Sequence, residues 1–324
     1  MKYSAATMRM WSRLGPSGSL GAAAMEIGSS YENVLFLTAD MTFAAGLERF
    51  RNNYPNRIYD LGIAEQNLIG VSSGLASEGF NPFAVTYATF LATRALDQVK
   101  MNLGYMKQPV KLVGVNAGFA AGILGPTHMA IEDIAAMRSI PEITVVSPAD
   151  MTEVVKALMA AAEADYPMYI RLTGDMNQAP VYSDDYDFEI GKAVVLQEGT
   201  DIAIVSTGVV TSNVIKAAHQ LQEKGLSCSV INMHTVKPLD EAALDKVSAA
   251  RLIVTVEEHS VLGGLGSAVS EYLSAKRNSP PVLRIGVRDF YPHAGSYAAL
   301  LKECGLDPDG IADTVLKKIN EVDK

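Results

Sequence analysis

The sequence predicts an α/β chain of two domains, the first a doubly wound domain and the second a smaller α/β unit. Three observations carry this. Short continuous apolar runs such as VLFLT (34–38), VKLVGV (110–115) and ITVVS (143–147) have the character of parallel strands buried on both faces. Segments with helical apolar spacing alternate with these runs, the pattern of βα units. The alternation halts in a polar, acidic stretch between Thr173 and Thr200 and then restarts. At 324 residues, 48% hydrophobic and 19% charged, the chain has material for two cores and does not read as disordered.

Taken in order, the first fifteen residues (MKYSAATMRMWSRLG) read as a loose arm, with no long apolar region for a signal or a membrane segment. A helix is expected over 17–28, where Leu20, Ala24 and Ile27 share a face and Gly28 ends it. The strand 34–38 follows. A helix over 65–78 precedes a strand near 82–86. A helix over 91–105, with Ala92, Leu96, Val99 and Leu103 inward, leads to the strand 110–115. After a glycine-rich loop come helix 130–138 and strand 143–147, then helix 150–164 with Asp150 as N-cap and strand 168–172. The stretch GDMNQAPVYSDDYDFEIG reads as a linker whose Asp184, Asp185, Asp187 and Glu189 are solvated. The second unit runs as strand 201–207, helix 211–224, strand 226–232, helix 239–248, strand 252–257, helix 264–276, strand 282–287 and a helix around 310–322. The predicted domains are 1–180 and 195–324, with 181–194 as linker.

Composition excludes several classes. A net charge of −9 with no basic stripe argues against nucleic acid. The two cysteines, Cys228 and Cys304, lie far apart and fit a reduced, cytoplasmic protein. The histidines form no i,i+4 pair and no metal set, so no metal site is expected on this chain. No G-x-S-x-G elbow and no Walker lysine occur. GGLGSAV (263–269) has two glycines of a dinucleotide loop but Val269 at the third place, and is read as tight helix–sheet packing.

Two stretches point to chemistry. In DLGIAEQNLIGVSSGL (60–75), Glu65 is the only charge between Asp60 and Glu78. An acid in a helix's first turn complements the helix dipole, which is the plain explanation. The sharper one is a desolvated carboxyl, kept protonated by burial until it meets a nitrogen base. In NAGFAAGILGPTHMAIED (116–133), Gly118, Gly122 and Gly125 allow close backbone approach after a buried strand, and His128 precedes the next helix. Ligand sites of α/β domains gather at such strand ends.

GIAEQN, YATFLATRALDQ, GPTHMAIEDIAAMRSIPEITVVSPAD and TVEEHSVLGGLGSA, in this order, resemble the C-terminal half of thiamine-diphosphate enzymes of the transketolase group. That group includes 1-deoxyxylulose-5-phosphate synthase and the beta subunits of 2-oxoacid dehydrogenases. The resemblance implies a pyrimidine-binding domain followed by a transketolase-type C-terminal domain. Glu65 matches the glutamate that shares a proton with the cofactor's aminopyrimidine and so promotes loss of the thiazolium proton. Phe90 matches the aromatic residue stacked on that ring. Met41 matches the apolar residue that props the cofactor into its bent shape, with Asp40 beside it. His128 matches the histidine at the donor's carbonyl and C1 hydroxyl, and Arg171 the arginine that reaches the sugar's far anionic group.

The family holds diphosphate and a divalent cation, Mg²⁺ or Ca²⁺, through Gly-Asp-Gly, which this sequence lacks; Gly174-Asp175-Met176 is the nearest. The resemblance therefore implies one subunit of a split transketolase, inactive alone. An N-terminal companion would hold diphosphate and metal, in an α2β2 heterotetramer with thiamine diphosphate at the interface. Leu124 stands where many transketolases have an acid, and Asn116 where a second substrate-side histidine is expected. Pro16-Ser17-Gly18 replaces an arginine, and the serine after the Asp40 motif has no counterpart. These departures imply a donor unlike a standard pentose phosphate, such as a sulfonated or branched sugar. An oxoacid dehydrogenase beta chain, a deoxyxylulose-phosphate-synthase-like enzyme and a non-catalytic scaffold are the rival readings.

Overall fold

The computed structural model describes residues 3–322. Its strands are β1 (Val34–Thr38), β2 (Ile58–Asp60), β3 (Asn81–Tyr87), β4 (Lys111–Val115), β5 (Thr144–Val146), β6 (Met168–Arg171), β7 (Val194–Gln197), β8 (Ile202–Thr207), β9 (Cys228–Asn232), β10 (Thr235–Lys237), β11 (Leu252–Ser260) and β12 (Val282–Val287). Seven form the first sheet, in the order β10-β5-β6-β4-β3-β1-β2, and five the second, in the order β12-β11-β8-β9-β7. All pairs are parallel except β10 on β5 and β7 on β9. Parallel strands need covered faces, and β1, β4, β8 and β9 are buried throughout. Phe36 of β1 stacks on Phe83 of β3 and meets Phe50 edge-on, an aromatic centre beneath the helix Ala5–Ser30. Among the described residues no helix is long and apolar enough to cross a membrane.

Four expectations need correction. The supposed loose arm is helical from Ala5, capped by Ser4 through the Thr7 amide, and kinked at Gly15-Pro16 into the expected helix. Its first two residues lie outside the described ones. Met8 and Trp11 are the buried apolar side chains of this segment, too few for a visible period, yet Trp11 docks it to the first core. The helix expected over 91–105 is broken into Ala88–Ala92, Leu96–Gln98 and a π-helical turn Val99–Tyr105. Apolar spacing runs straight through the break, which therefore leaves no trace in the pattern. The linker is not uniformly solvated: Asp185 pairs with Lys156 at 2.7 Å, and Tyr182 and Tyr186 donate to the buried carboxylate of Glu153. Lastly, β10 lies in the second sequence block but extends the first sheet, so backbone hydrogen bonding crosses the division drawn at the linker.

Candidate active site

Between β2 and β3 in the first sheet stands β1, so the chain leaves β1 to one side and returns on the other. Such a reversal opens a crevice at the carboxyl ends of the strands. Asp40 and Met41 follow β1, Glu65 follows β2, Phe90 follows β3, and Asn116 and His128 lie in the segment after β4. The topology gathers along one edge residues that lie far apart in sequence.

Asp60, at the end of β2, ties the first two of these segments together. One carboxylate oxygen accepts from the amides of Asp40 (2.9 Å) and Gly62 (3.1 Å), and the other from the Thr42 hydroxyl (3.0 Å). Burial works to raise its pKa, but these donors outweigh it and hold the carboxyl below its ordinary value. Asp60 stays ionised as a latch between the loop carrying Met41 and the turn entering Glu65. In the sequence Asp60 marks only the start of a motif. An acid two residues before a glycine at a strand end was the available signal.

Glu65 opens the helix Glu65–Ser77 and is 2% exposed. It is not the unpartnered acid that the sequence suggested. Its Oε2 accepts from Arg94 Nη1 at 2.8 Å, and the Arg94 side chain is 45% exposed. The Arg94 guanidinium in turn lies over Phe90, with Cζ 4.0 Å from the ring centroid. Arg94 was not foreseen, and it sits in the break of the helix described above. There the Ala95 amide reaches back five residues to the Phe90 carbonyl (3.0 Å), and the Gln66 amide group donates to the Arg94 carbonyl (3.2 Å). Wide turns of this kind recur at functional sites.

His128 completes the cluster. Its ring meets Phe90 and Tyr87 edge-on, each centroid 5.4 Å away, and its Nδ1 is 2.9 Å from the Thr127 hydroxyl. Glu65, Phe90 and His128 are thus linked in one cluster, Glu65 to Phe90 through the Arg94 guanidinium and Phe90 to His128 ring against ring. Met41 is nearly enclosed in the first core, as an ordinary apolar side chain would be, while Asp40 is exposed at a left-handed backbone position. Asn116, also left-handed at φ 54°, is half-buried directly after β4.

Arg171 is elsewhere. It is 1% exposed, and its Nε donates to Asp133 (2.8 Å) while Nη2 donates to the carbonyls of Ala130 (3.0 Å) and Glu258 (2.8 Å). A buried guanidinium held in this way ties the two domains together, a structural role in place of the open anion contact the resemblance implied. The sequence signal, an arginine closing a buried strand, fits either role, and the second domain's β11 decides between them.

The EEH stretch of β11 forms the same junction. Glu258 accepts from the Phe119 amide (2.6 Å) and the Thr173 hydroxyl (3.0 Å), fixing the loop that leads to His128. Gly118, at φ 57°, must be glycine here, since a Cβ would lie 2.0 Å from Glu258 Oε1. Glu257 accepts from the amides of Leu265 (2.7 Å) and Gly266 (2.8 Å), filling the helix start where a dinucleotide's phosphates would lie. That settles GGLGSAV as packing.

The cluster can hold a flat, nitrogen-bearing group. A planar guanidinium already lies on Phe90 and donates to Glu65, the two contacts that an aminopyrimidine ring would need. Comparison with known proteins points the same way. Residues 17–177 match the family model described as "Transketolase, pyrimidine binding domain", and 191–311 the one described as "Transketolase, C-terminal domain". The 6-deoxy-6-sulfo-D-fructose transketolase subunit SqwH of Clostridium sp. is 38% identical over 87% of this chain and 87% of its own length. An apulose-4-phosphate transketolase subunit from Phocaeicola vulgatus is 36% identical over 92% of this chain and 95% of its own. A solved structure titled "Split gene transketolase, inactive beta4 tetramer" superposes with a TM-score of 0.84 at 37% identity, covering 93% of this chain and 97% of that one.

Proposed function

Because the chain belongs to the transketolase family, we propose that it is the pyrimidine-binding subunit of a thiamine-diphosphate enzyme that moves a two-carbon ketol unit from a ketose to an aldose. The observation that carries this reading is the chain of contacts that runs from buried Glu65 through Arg94 and Phe90 to half-buried His128 at the strand reversal. Thiamine diphosphate, once bound, supplies the thiazolium carbon that carries the transferred unit. Glu65, its own side chain buried, holds a shared proton at the ring nitrogen with little water to compete for it. Phe90 supports the ring's face. His128 hydrogen-bonds the oxygen on the donor's reacting carbon, with its ring set edge-on by Tyr87 and Phe90. Met41, held through the Asp60 latch, shapes the cofactor from the β1 side, with Asp40 beside it.

Diphosphate and its Mg²⁺ or Ca²⁺ belong to a companion polypeptide in an α2β2 assembly, because this sequence has no Gly-Asp-Gly. Phe43 (82% exposed), Ile63 (73%) and Ile123 (77%), in the segments after β1, β2 and β4, give that companion an apolar face to cover. The beta-only neighbour described as inactive agrees with dependence on such a companion. The donor is a ketose whose distal end differs from a standard pentose phosphate. Leu124 and Asn116 stand at the sugar-reading positions, and two relatives are named for a sulfonated ketose and for apulose phosphate. With Arg171 buried, other groups read the distal anion.

The test is co-purification with the companion, then a donor screen with thiamine diphosphate and Mg²⁺. Glycolaldehyde transfer is expected from the pair, lost with Glu65→Ala. Transfer unaffected by Glu65→Ala would leave the scaffold reading, and pyruvate decarboxylation onto a lipoyl acceptor would favour the dehydrogenase.

A further inference from the structure

We propose that Arg94 is a built-in occupant of the aminopyrimidine position, closing the site while the chain is empty and withdrawing when the coenzyme arrives. The proposal rests on the assignment of Glu65 and Phe90 to that ring. The guanidinium takes both contacts at once: its central carbon lies 4.0 Å from the Phe90 centroid, and Nη1 donates to Glu65 Oε2 at 2.8 Å. Two flat groups cannot share one ring face and one carboxylate oxygen. His128 is not stacked parallel on Phe90, the two planes standing at 72°.

The geometry supplies a reason for Arg94 to enter and a way for it to leave. Glu65 is almost fully buried, and a carboxylate at that depth is costly without a partner. A cation on a flexible arm compensates it until a ligand does so. The arm is half in water, so the guanidinium is readily rehydrated as it withdraws, and the arriving ring takes over as the partner of buried Glu65. Its backbone need not move: Arg94 lies between the helices Ala88–Ala92 and Leu96–Gln98, and its carbonyl is held by Gln66. The swing is a rotamer change anchored on a fixed turn.

An occupied site binds its ligand more weakly by the fraction of chains with the arm out. The experiment is calorimetric titration of thiamine diphosphate with Mg²⁺ into the reconstituted pair, for wild type, Arg94→Ala and Glu65→Ala. Arg94→Ala is expected to bind roughly five-fold tighter, since the coenzyme no longer has to displace the half-exposed guanidinium from Glu65 and Phe90. The empty Arg94→Ala chain should also melt below wild type, with a larger rise when the coenzyme is added. Should Arg94→Ala not fold, Arg94→Gln keeps the arm's bulk without its charge and serves the same comparison. Equal or weaker binding by the arginine variants, while Glu65→Ala loses affinity, overturns the proposal and leaves the site assignment standing. Wild-type affinity in Glu65→Ala overturns both.

Discussion

Arg171 shows how one residue type serves two ends. An arginine closing a strand at the mouth of an α/β sheet is well suited to bind an anion, which is the role the resemblance implies. Its donors instead go to Asp133 and two carbonyls at the domain junction. Removing it leaves the fully buried Asp133 without a counter-charge. Arg171→Ala is therefore expected to lose about 3–5 kcal/mol of stability, read by denaturant unfolding. A residue that only bound substrate would show normal stability and a raised KM. Glu65, Phe90 and His128 were legible because each sits in a short motif with distinctive chemistry. Arg94 and Asp60 were not, because an arginine in an apolar period and an acid at a strand end are ordinary until their partners are known.

Among the elements, β11 joins the halves through two successive side chains, Glu258 and His259, with Glu257 beside them holding the start of the following helix. His259 is fully buried, and burial outweighs the neighbouring Asp133 carboxylate to push its pKa down to about 4. The folded chain therefore keeps His259 neutral where the unfolded chain takes up a proton, from about pH 6.5 downward. Its contribution to stability is present above that pH and is lost as pH falls towards about 4. Glu257 is shifted the other way, up to about 7, so the total curve mixes both. The difference between wild type and His259→Gln isolates the histidine. Between pH 6.5 and 4 the variant is expected to lose less stability than wild type, by at most about 3 kcal/mol. Unfolding curves with the same pH slope would show that His259 does not titrate this way. Nine of the strands were readable as apolar runs. The broken helix at 93–95 and the short strands β2, β7 and β10 were not, since the first hides under continuous periodicity and the strands are only three or four residues long.

At the scale of the whole molecule, the two-domain α/β plan followed from the alternation of runs and the polar interruption. What the sequence could not supply is the strand order. The reversal at β1 places distant segments along one edge, and the second domain's β11 fixes the loop that leads to His128. The central claim is that Glu65 shares a proton with a coenzyme ring whose diphosphate a companion holds. The most direct measurement is the rate at which the bound coenzyme exchanges its thiazolium hydrogen for deuterium, in the reconstituted pair and in its Glu65→Gln form. Fast exchange in the pair, slowed by about 10²-fold or more in Glu65→Gln, is the expected result. Equal rates in the two forms would contradict the account.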